Sequence, residues 1–298
     1  MTEPHLGGTY DQQLAAATWA EAEGLVSFAR CDHYLSSADP TPESSDAFAV
    51  LAGLARDTTE IRLCVLVTPI TFRHPAVIAK NATTIDQMSE GRFDLGVGTG
   101  WMELEHTAFG IPFPPWPERW SRFEEALDYL DAAFGAERAD FSGRHYSIDA
   151  DVKPKPSGIR TIIGGSGARR TPTLAGTRAD EYNFFLCPAE EARARIDVMR
   201  EAAGDRPVEA TVMGPALVGR DEAGYRDRLD RVARRRGMSP EDLEKRFIDN
   251  GLLVGTPDRV ADTVAALDDA GVERIYVQWL DLDDFDGMRE AVTIVRGG

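Results

Sequence analysis

The chain has 298 residues, a hydrophobic fraction of 43% and a formal net charge of −17 at pH 7. The apolar content suffices for a large core, and the acidic charge disfavours nucleic acids and anionic membranes as partners. No apolar run reaches the roughly 18 residues that span a bilayer, and no signal-peptide pattern opens the chain, so we expect a cytoplasmic protein.

Short apolar segments alternate with amphipathic segments along almost the whole chain. The apolar segments predict buried strands at residues 25–30, 61–67, 92–97, 161–163, 181–186, 208–218 and 274–279. The amphipathic segments predict helices at residues 10–23, 44–56, 75–88, 118–134, 168–177, 189–203, 257–270 and 284–295. This alternation favours an α/β fold with a parallel sheet, and about seven or eight such units favour a (β/α)8 TIM barrel.

Two insertions interrupt the alternation, and we expect one barrel domain over residues 1–298. Residues 136–158 contain a hairpin pattern, whereas the highly charged residues 220–250 predict helices. Residues 1–8 make a poor strand because they contain an acid, a proline and two glycines. The first barrel strand is therefore expected either to be shortened or to lie upstream of this chain.

Polar residues follow several predicted strands at their C-terminal ends, where α/β proteins bind ligands. Asp32 and His33 follow the first of these strands, and Thr68 follows the strand at 61–67. A histidine in such a position is a candidate general acid or base. The alternative is a histidine in a surface loop with no chemical role.

Two glycine-rich segments also follow strands. Gly164, Gly165, Ser166 and Gly167 precede a predicted helix, so their N–H groups could bind a phosphate, although a flexible turn is the alternative. The segment at 93–101, taken alone, resembles the first motif of S-adenosylmethionine methyltransferases, and its glycines permit close approach to a ligand. That motif needs a helix directly after it, and the prolines that follow argue against one.

The three cysteines are far apart and show no CxxC spacing. We therefore expect buried thiols rather than a disulfide framework, and no metal site.

Taken together, these segments resemble the luciferase-like monooxygenase superfamily, in the branch that uses the deazaflavin F420. The resemblance extends over nearly the whole chain. It is carried by residues 20–25, 32–35, 67–80, 91–101, 141–146, 164–167, 179–183 and 255–257.

The resemblance implies a barrel that binds its cofactor at the C-terminal ends of the strands, and a homodimer packed through early helices. It also implies a bulge with a non-prolyl cis peptide around residues 65–67, pressed against the cofactor. The cofactor-binding residues that it implies are Asp32, Val65, Leu66, Thr68, Gly164, Gly165, Ser166 and Gly167. His33 would line the same cofactor, and we expect it either to transfer a proton or to stabilise charge on the cofactor.

The activity implied by the resemblance is hydride transfer between F420 and a small organic substrate. In the sugar-phosphate dehydrogenases of the family a Glu follows Gly-Thr-Gly, whereas this chain has Trp101 there and Glu103 two residues later. We therefore expect Trp101 and Glu103 in the substrate pocket and a more apolar substrate, with residues 141–146 and 220–250 as candidate lids. The alternatives are a monooxygenase that uses flavin mononucleotide (FMN) and O2, and a non-catalytic flavin- or deazaflavin-binding protein.

Overall fold

A computed structural model describes residues 1–3, 8–36, 44–135, 137–279, 282 and 284–297. They form two compact units, residues 2–164 and residues 165–298 with Met1. Each unit combines parallel strands with helices.

The first unit contains the strands that carry the predicted His33 site. Its helices are α1 (Tyr10–Ala22), α2 (Ala47–Asp57), α3 (Pro75–Met88), α4 (Glu103–Phe109) and α5 (Trp116–Phe134). Its strands are β1 (Ser27–Arg30), β2 (Arg62–Pro69), β3 (Phe93–Gly98), β4 (Ala139–Ser142), β5 (Ser147–Ala150) and β6 (Arg160–Gly164). β1, β2, β3 and β6 pair in that order and are parallel, so their C-terminal ends share one edge.

Local signals explain where helices in this unit begin. The Thr9 side chain and the Gln12 side chain cap each other's backbone N–H groups, which starts α1 with a capping box. The Asp46 carboxylate accepts a hydrogen bond from the Ala49 N–H and starts α2. Pro75 occupies the first turn of α3, where its missing N–H costs nothing.

The shortened first strand is visible at Thr2. Thr2 forms a parallel bridge with Arg30, and its N–H donates to the carbonyl of Ala29 at 2.8 Å. The N–H of Cys31 donates to the Thr2 carbonyl at 3.3 Å. Residues 4–7, which belong to the predicted poor strand, lie outside the described residues.

The second unit contains the remaining strands and helices. Its helices are α6 (Arg170–Arg178), α7 (Ala189–Ala203), α8 (Glu222–Arg236), α9 (Pro240–Asp249), α10 (Pro257–Asp269) and α11 (Phe285–Val295). Its strands are β7 (Glu181–Phe185), β8 (Glu209–Val218), β9 (Leu253–Gly255) and β10 (Arg274–Gln278). β8 is the shared partner, because β7, β9 and β10 each pair with it in parallel.

Ion pairs close the N-terminal ends of the strands in the second unit. Arg274 opens β10 and contacts Glu181 at 3.0 Å and Glu209 at 3.0 Å, the first residues of β7 and β8. Glu181 is fully buried and also accepts a hydrogen bond from the Thr211 hydroxyl at 2.7 Å. These contacts give the buried charge of Glu181 its partners and link the starts of the three strands.

The sequence-based elements are confirmed with two omissions. The insertion at 136–158 contains the antiparallel hairpin β4–β5, and the insertion at 220–250 forms α8 and α9. The expectation that no helix follows the glycine-rich end of β3 is wrong, because α4 occupies 103–109 ahead of the prolines. β9, only three residues long, was also missed.

The remaining expectations concern the cysteines, membrane spans and metal sites. All three cysteines are buried thiols. Within the described ranges, no helix combines the length and apolarity needed to cross a bilayer. The same residues contain no cluster of three or more His, Cys, Asp or Glu side chains placed to hold a metal ion.

Candidate functional site

The turn after β1 carries the predicted acid–base residue. The side chain of His33 is 17% exposed, whereas that of Glu105 beside it is 1% exposed. The hydroxyl of Ser44 donates to the carbonyl oxygen of His33 at 2.8 Å. The backbone of this turn is therefore fixed while part of the imidazole remains accessible.

Arg73, in the loop after β2, joins the ends of two strands. Its guanidinium contacts Asp32 after β1 at 2.5 and 3.2 Å, and donates to the Thr68 hydroxyl in β2 at 3.3 Å. It also donates to the Tyr34 hydroxyl at 2.7 Å and pairs with Asp46. Burial lowers the pKa of Arg73, but the adjacent carboxylates raise it by a larger amount. The guanidinium therefore stays charged.

Asp32 and Thr68, two predicted cofactor residues, are therefore members of a buried network. Asp32 is 1% exposed and Thr68 is fully buried. Arg73 contacts both side chains, so the structure brings these two predicted residues together. Their side-chain contacts hold the turn that presents His33.

Glu105, from α4, holds the His33 turn at two points. One carboxylate oxygen lies 2.9 Å from His33 Nδ1, and the other accepts the N–H of Tyr34 at 3.0 Å. An ionised carboxylate only accepts hydrogen bonds, so Nδ1 carries a proton in this arrangement. The imidazole is thus fixed in orientation and in tautomer.

Opposing effects set the pKa of His33. Burial disfavours the charged imidazole and lowers the pKa, whereas the hydrogen bond and the charge of Glu105 raise it. The charges of Glu3 and Asp32 raise it further. The raising effects prevail, and the pKa of His33 lies above its ordinary value. A larger fraction of His33 is therefore protonated near neutral pH than of an isolated histidine.

His106, the neighbour of Glu105, has a different environment. It is fully buried, with Nδ1 2.8 Å from the Met102 carbonyl and Nε2 2.7 Å from the Thr71 hydroxyl. Because a carbonyl only accepts, Nδ1 is the donor to Met102, and Nε2 shares its hydrogen bond with the Thr71 hydroxyl. Both ring nitrogens serve the structure, and they anchor α4 to the loop after β2.

The bulge implied by the resemblance is present in β2. The peptide bond between Leu66 and Val67 is cis, and the pairing with β3 shifts register between Val65 and Thr68. Val65 and Leu66 are both buried, and their contact with a cofactor stays a prediction.

Glycines of β3 and β6 make room for this bulge. A Cβ on Gly96 would lie 2.3 Å from the Val65 carbonyl oxygen, and one on Gly98 would lie 2.9 Å from Val67 Cγ2. A Cβ on Gly164 would lie 2.6 Å from Val67 Cγ1. The glycines that sequence analysis associated with close approach to a ligand therefore accommodate the neighbouring strand.

The two predicted substrate-pocket residues differ in what they contact. The Trp101 side chain is 71% exposed, and its ring meets the His33 ring edge-on with 5.6 Å between centroids. Glu103 opens α4 and is exposed. Trp101 thus belongs to the His33 site, whereas Glu103 lies two residues before the buried Glu105.

The predicted phosphate-binding residues beyond Gly164 lie in the second unit. The Gly165 N–H donates to the Asn183 carbonyl at 3.0 Å, and the Ser166 hydroxyl accepts from the Phe185 N–H at 3.2 Å. Ser166 and Gly167 are exposed ahead of α6. As far as the described residues show, no side chain caps the start of α6. The exposed start of a helix is chemically suited to an anion.

The hairpin β4–β5, a candidate lid, is attached to α5. One oxygen of the Glu125 carboxylate accepts from the N–H of His145 at 2.7 Å and from that of Tyr146 at 3.3 Å. A Cβ on Gly143 would meet the same carboxylate oxygen at 2.3 Å. These contacts hold the hairpin against α5, and its role as a lid stays a prediction.

Sequence reasoning missed Glu105 and Arg73. Glu105 was hidden because α4 has only seven residues, too few for a clear helical period. Arg73 lies within a segment that carried the family resemblance but was not singled out. The available signal was a charged residue a few positions beyond the end of a buried strand.

Comparison with known proteins identifies relatives of this chain. It is 33% identical over 206 residues to the F420-dependent glucose-6-phosphate dehydrogenase of Kineococcus radiotolerans. The aligned region covers 65% of this chain and 61% of that protein. It is 32% identical over 146 residues to the pyrimidine monooxygenase RutA of Stutzerimonas stutzeri, covering 47% and 39%. The chain thus spans less than two thirds of the length of these relatives.

Structural comparison supports the predicted fold class. An F420-dependent secondary alcohol dehydrogenase in complex with an F420–acetone adduct superimposes with a TM-score of 0.80 at 19% identity, covering 97% of this chain and 96% of that one. The α/β fold is that of the luciferase-like TIM barrels, as predicted from the sequence.

The profile of one protein family matches most of the chain. It describes the luciferase-like monooxygenases and aligns with residues 1–274. The resemblance seen in the sequence motifs is therefore confirmed, and the chain belongs to the luciferase-like monooxygenase family.

Proposed function

We propose that this chain is an F420-dependent oxidoreductase that transfers a hydride between the deazaflavin and a small organic substrate. The observation that carries the proposal is the partly exposed His33 imidazole, which follows β1 at its C-terminal end and is held by the buried Glu105. Hydride transfer to a carbonyl carbon leaves a negative charge on oxygen. A nearby imidazolium can supply the proton that this oxygen requires.

The residues at the strand ends suit such a cofactor. In the first unit, Trp101 offers an exposed aromatic face beside His33. In the second unit, taken by itself, the start of α6 offers backbone donors of the kind that bind phosphate. When bound, the reduced deazaflavin would supply the hydride. The chain itself orients the substrate and supplies or removes the proton at Nε2 of His33.

The similarity to an F420-dependent dehydrogenase supports this cofactor. Trp101 stands where the sugar-phosphate dehydrogenases of the family have a carboxylate, so we propose a more apolar carbonyl, alcohol or unsaturated substrate. A homodimer and a cytoplasmic location are part of the same proposal.

A second candidate is an FMN-dependent monooxygenase that uses O2. The similarity to the pyrimidine monooxygenase RutA favours it. A helix start that binds one phosphate does not by itself distinguish FMN from F420.

Equilibrium binding of F420 and FMN to the purified chain, side by side, tests the proposal. We expect micromolar binding of F420 and much weaker binding of FMN. Tight FMN binding without F420 binding would instead support the monooxygenase, and binding of neither would contradict both functions.

A further inference from the structure

In the contact between His33 and Glu105, only the histidine is accessible to a bound molecule. His33 is partly exposed, whereas the Glu105 carboxylate is buried and lies 2.9 Å from Nδ1. The buried member has little access to a substrate, so any effect it has on the reaction must pass through His33.

We propose that Glu105 is the positioning residue of His33, fixing Nδ1 as the donor and assigning proton transfer to Nε2. The inference rests on the proposed function, since it gives this chain's hydride transfer its source of protons. The proton moves from Nε2 to the substrate oxygen during reduction and returns to Nε2 during oxidation of an alcohol.

Several contacts make this pairing specific. The second oxygen of Glu105 accepts the N–H of Tyr34 at 3.0 Å, so the carboxylate cannot rotate without losing a backbone partner. Its neighbour His106 is bound on both ring nitrogens, at 2.8 Å to Met102 and 2.7 Å to Thr71. α4 is therefore anchored at the residue next to Glu105.

Other charged groups around His33 do not replace Glu105. Asp32 precedes His33 in the turn, but its carboxylate is engaged by Arg73 at 2.5 Å. Glu3, from the N-terminal segment, raises the pKa of His33 through its charge, as Asp32 does. Glu105 contacts the ring directly, with its carboxylate oxygen 2.9 Å from Nδ1, and its hydrogen bond is the largest of the effects that raise this pKa.

A purely structural role for Glu105 would make a different prediction. If Glu105 served only to hold the Tyr34 N–H, replacing its charge while keeping an acceptor oxygen would leave the titration of His33 unchanged. Glu105→Gln makes this distinction, because the amide oxygen can still accept from Tyr34.

The experiment is ¹⁵N NMR of the imidazole nitrogens across a pH titration, with the full chain free of cofactor. His33→Gln identifies the His33 signals. In the wild type we expect a protonated Nδ1 and titration at Nε2, and in Glu105→Gln the pKa of His33 should fall. Glu103→Gln is the control, because it removes the same charge from the exposed start of α4. It should leave the pKa of His33 unchanged.

The pH profile of turnover supplies the second readout. Because His33 would lose its proton at lower pH in Glu105→Gln, the limb of the profile that reports His33 should move to lower pH, and turnover should fall about 100-fold through misplacement of the ring. Glu105→Asp should restore part of the shift. An unchanged pKa of His33 in Glu105→Gln would overturn the assignment of Glu105. If the NMR shift occurs but the wild type shows no F420-linked turnover, the proposed function fails and the control of the tautomer by Glu105 stands.

Discussion

The two ends of the strands in the first unit use the same kinds of residues for different purposes. At the N-terminal end, Arg62 binds the fully buried Asp94 at 2.5 Å and donates to three backbone carbonyls. At the C-terminal end, Arg73 binds the buried Asp32, yet the next residue, His33, keeps 17% of its side chain exposed. At one end the arginine binds a carboxylate and backbone carbonyls, and at the other end the arginine network adjoins a histidine that can exchange a proton.

The difference shows how a stable scaffold can support a site. A buried arginine–carboxylate pair adds little net stability but is costly to break, because the remaining charge stays buried. Used at Arg62, the pair fixes strand starts. Used at Arg73, it fixes the turn next to a residue that can exchange a proton with a bound molecule.

The largest expected effect comes from removing the reactive group. His33→Ala should lower turnover by about 100- to 10,000-fold, the usual contribution of a general acid or base. The Kd for F420 should change little, because the proposed role concerns the proton. Steady-state kinetics and a binding titration on the same preparation measure both quantities.

His33→Gln is the matched control for this change. Its amide can still donate to Glu105, so the buried carboxylate keeps a partner, but it cannot transfer a proton near neutral pH. Turnover near the wild-type value in His33→Gln would remove His33 from the chemistry.

At the opposite strand end the loss should be in stability. Asp94→Ala leaves the Arg62 guanidinium without its carboxylate and should lower the free energy of unfolding by about 3 kcal/mol. Turnover per folded molecule should stay at the wild-type value, because neither residue belongs to the site. Denaturant unfolding measures the loss of stability, with Asp94→Asn as the milder control. A loss of turnover without a loss of stability would contradict a purely structural role for this strand end.

A smaller loss of stability is expected from crowding the bulge of β2. Gly96→Ala places a methyl group 2.3 Å from the Val65 carbonyl oxygen, so β2 and β3 must move apart. Overpacking of this kind costs about 1–3 kcal/mol. Thermal unfolding should show the loss, whereas Gly110→Ala, at a glycine whose Cβ position is open but whose φ is +67°, separates crowding from backbone preference. Equal stability of Gly96→Ala and the wild type would show that the close approach is unimportant.

The fold was predictable because its elements have clear periods. The boundaries of α3 at 75–88 and α7 at 189–203 match the predicted segments. α4 and β9 were missed because seven and three residues carry too little periodicity.

The site was only partly predictable from sequence. Asp32, His33 and Thr68 could be found because they follow buried strands. Glu105 lies 72 positions from His33, and only the folded chain shows that the two meet. The untested roles of Gly165, Ser166 and Gly167 in phosphate binding stay predictions.

The most direct test of the account is whether reduced F420 is oxidised by carbonyl and unsaturated compounds when O2 is excluded. The measurement uses the purified chain, F420 carrying deuterium at the hydride position, and mass spectrometry of the product. We predict turnover without O2 and deuterium on the product carbon. A reaction that needs O2 and reduced FMN, with no deuterium transferred from F420, would contradict the proposed hydride transfer.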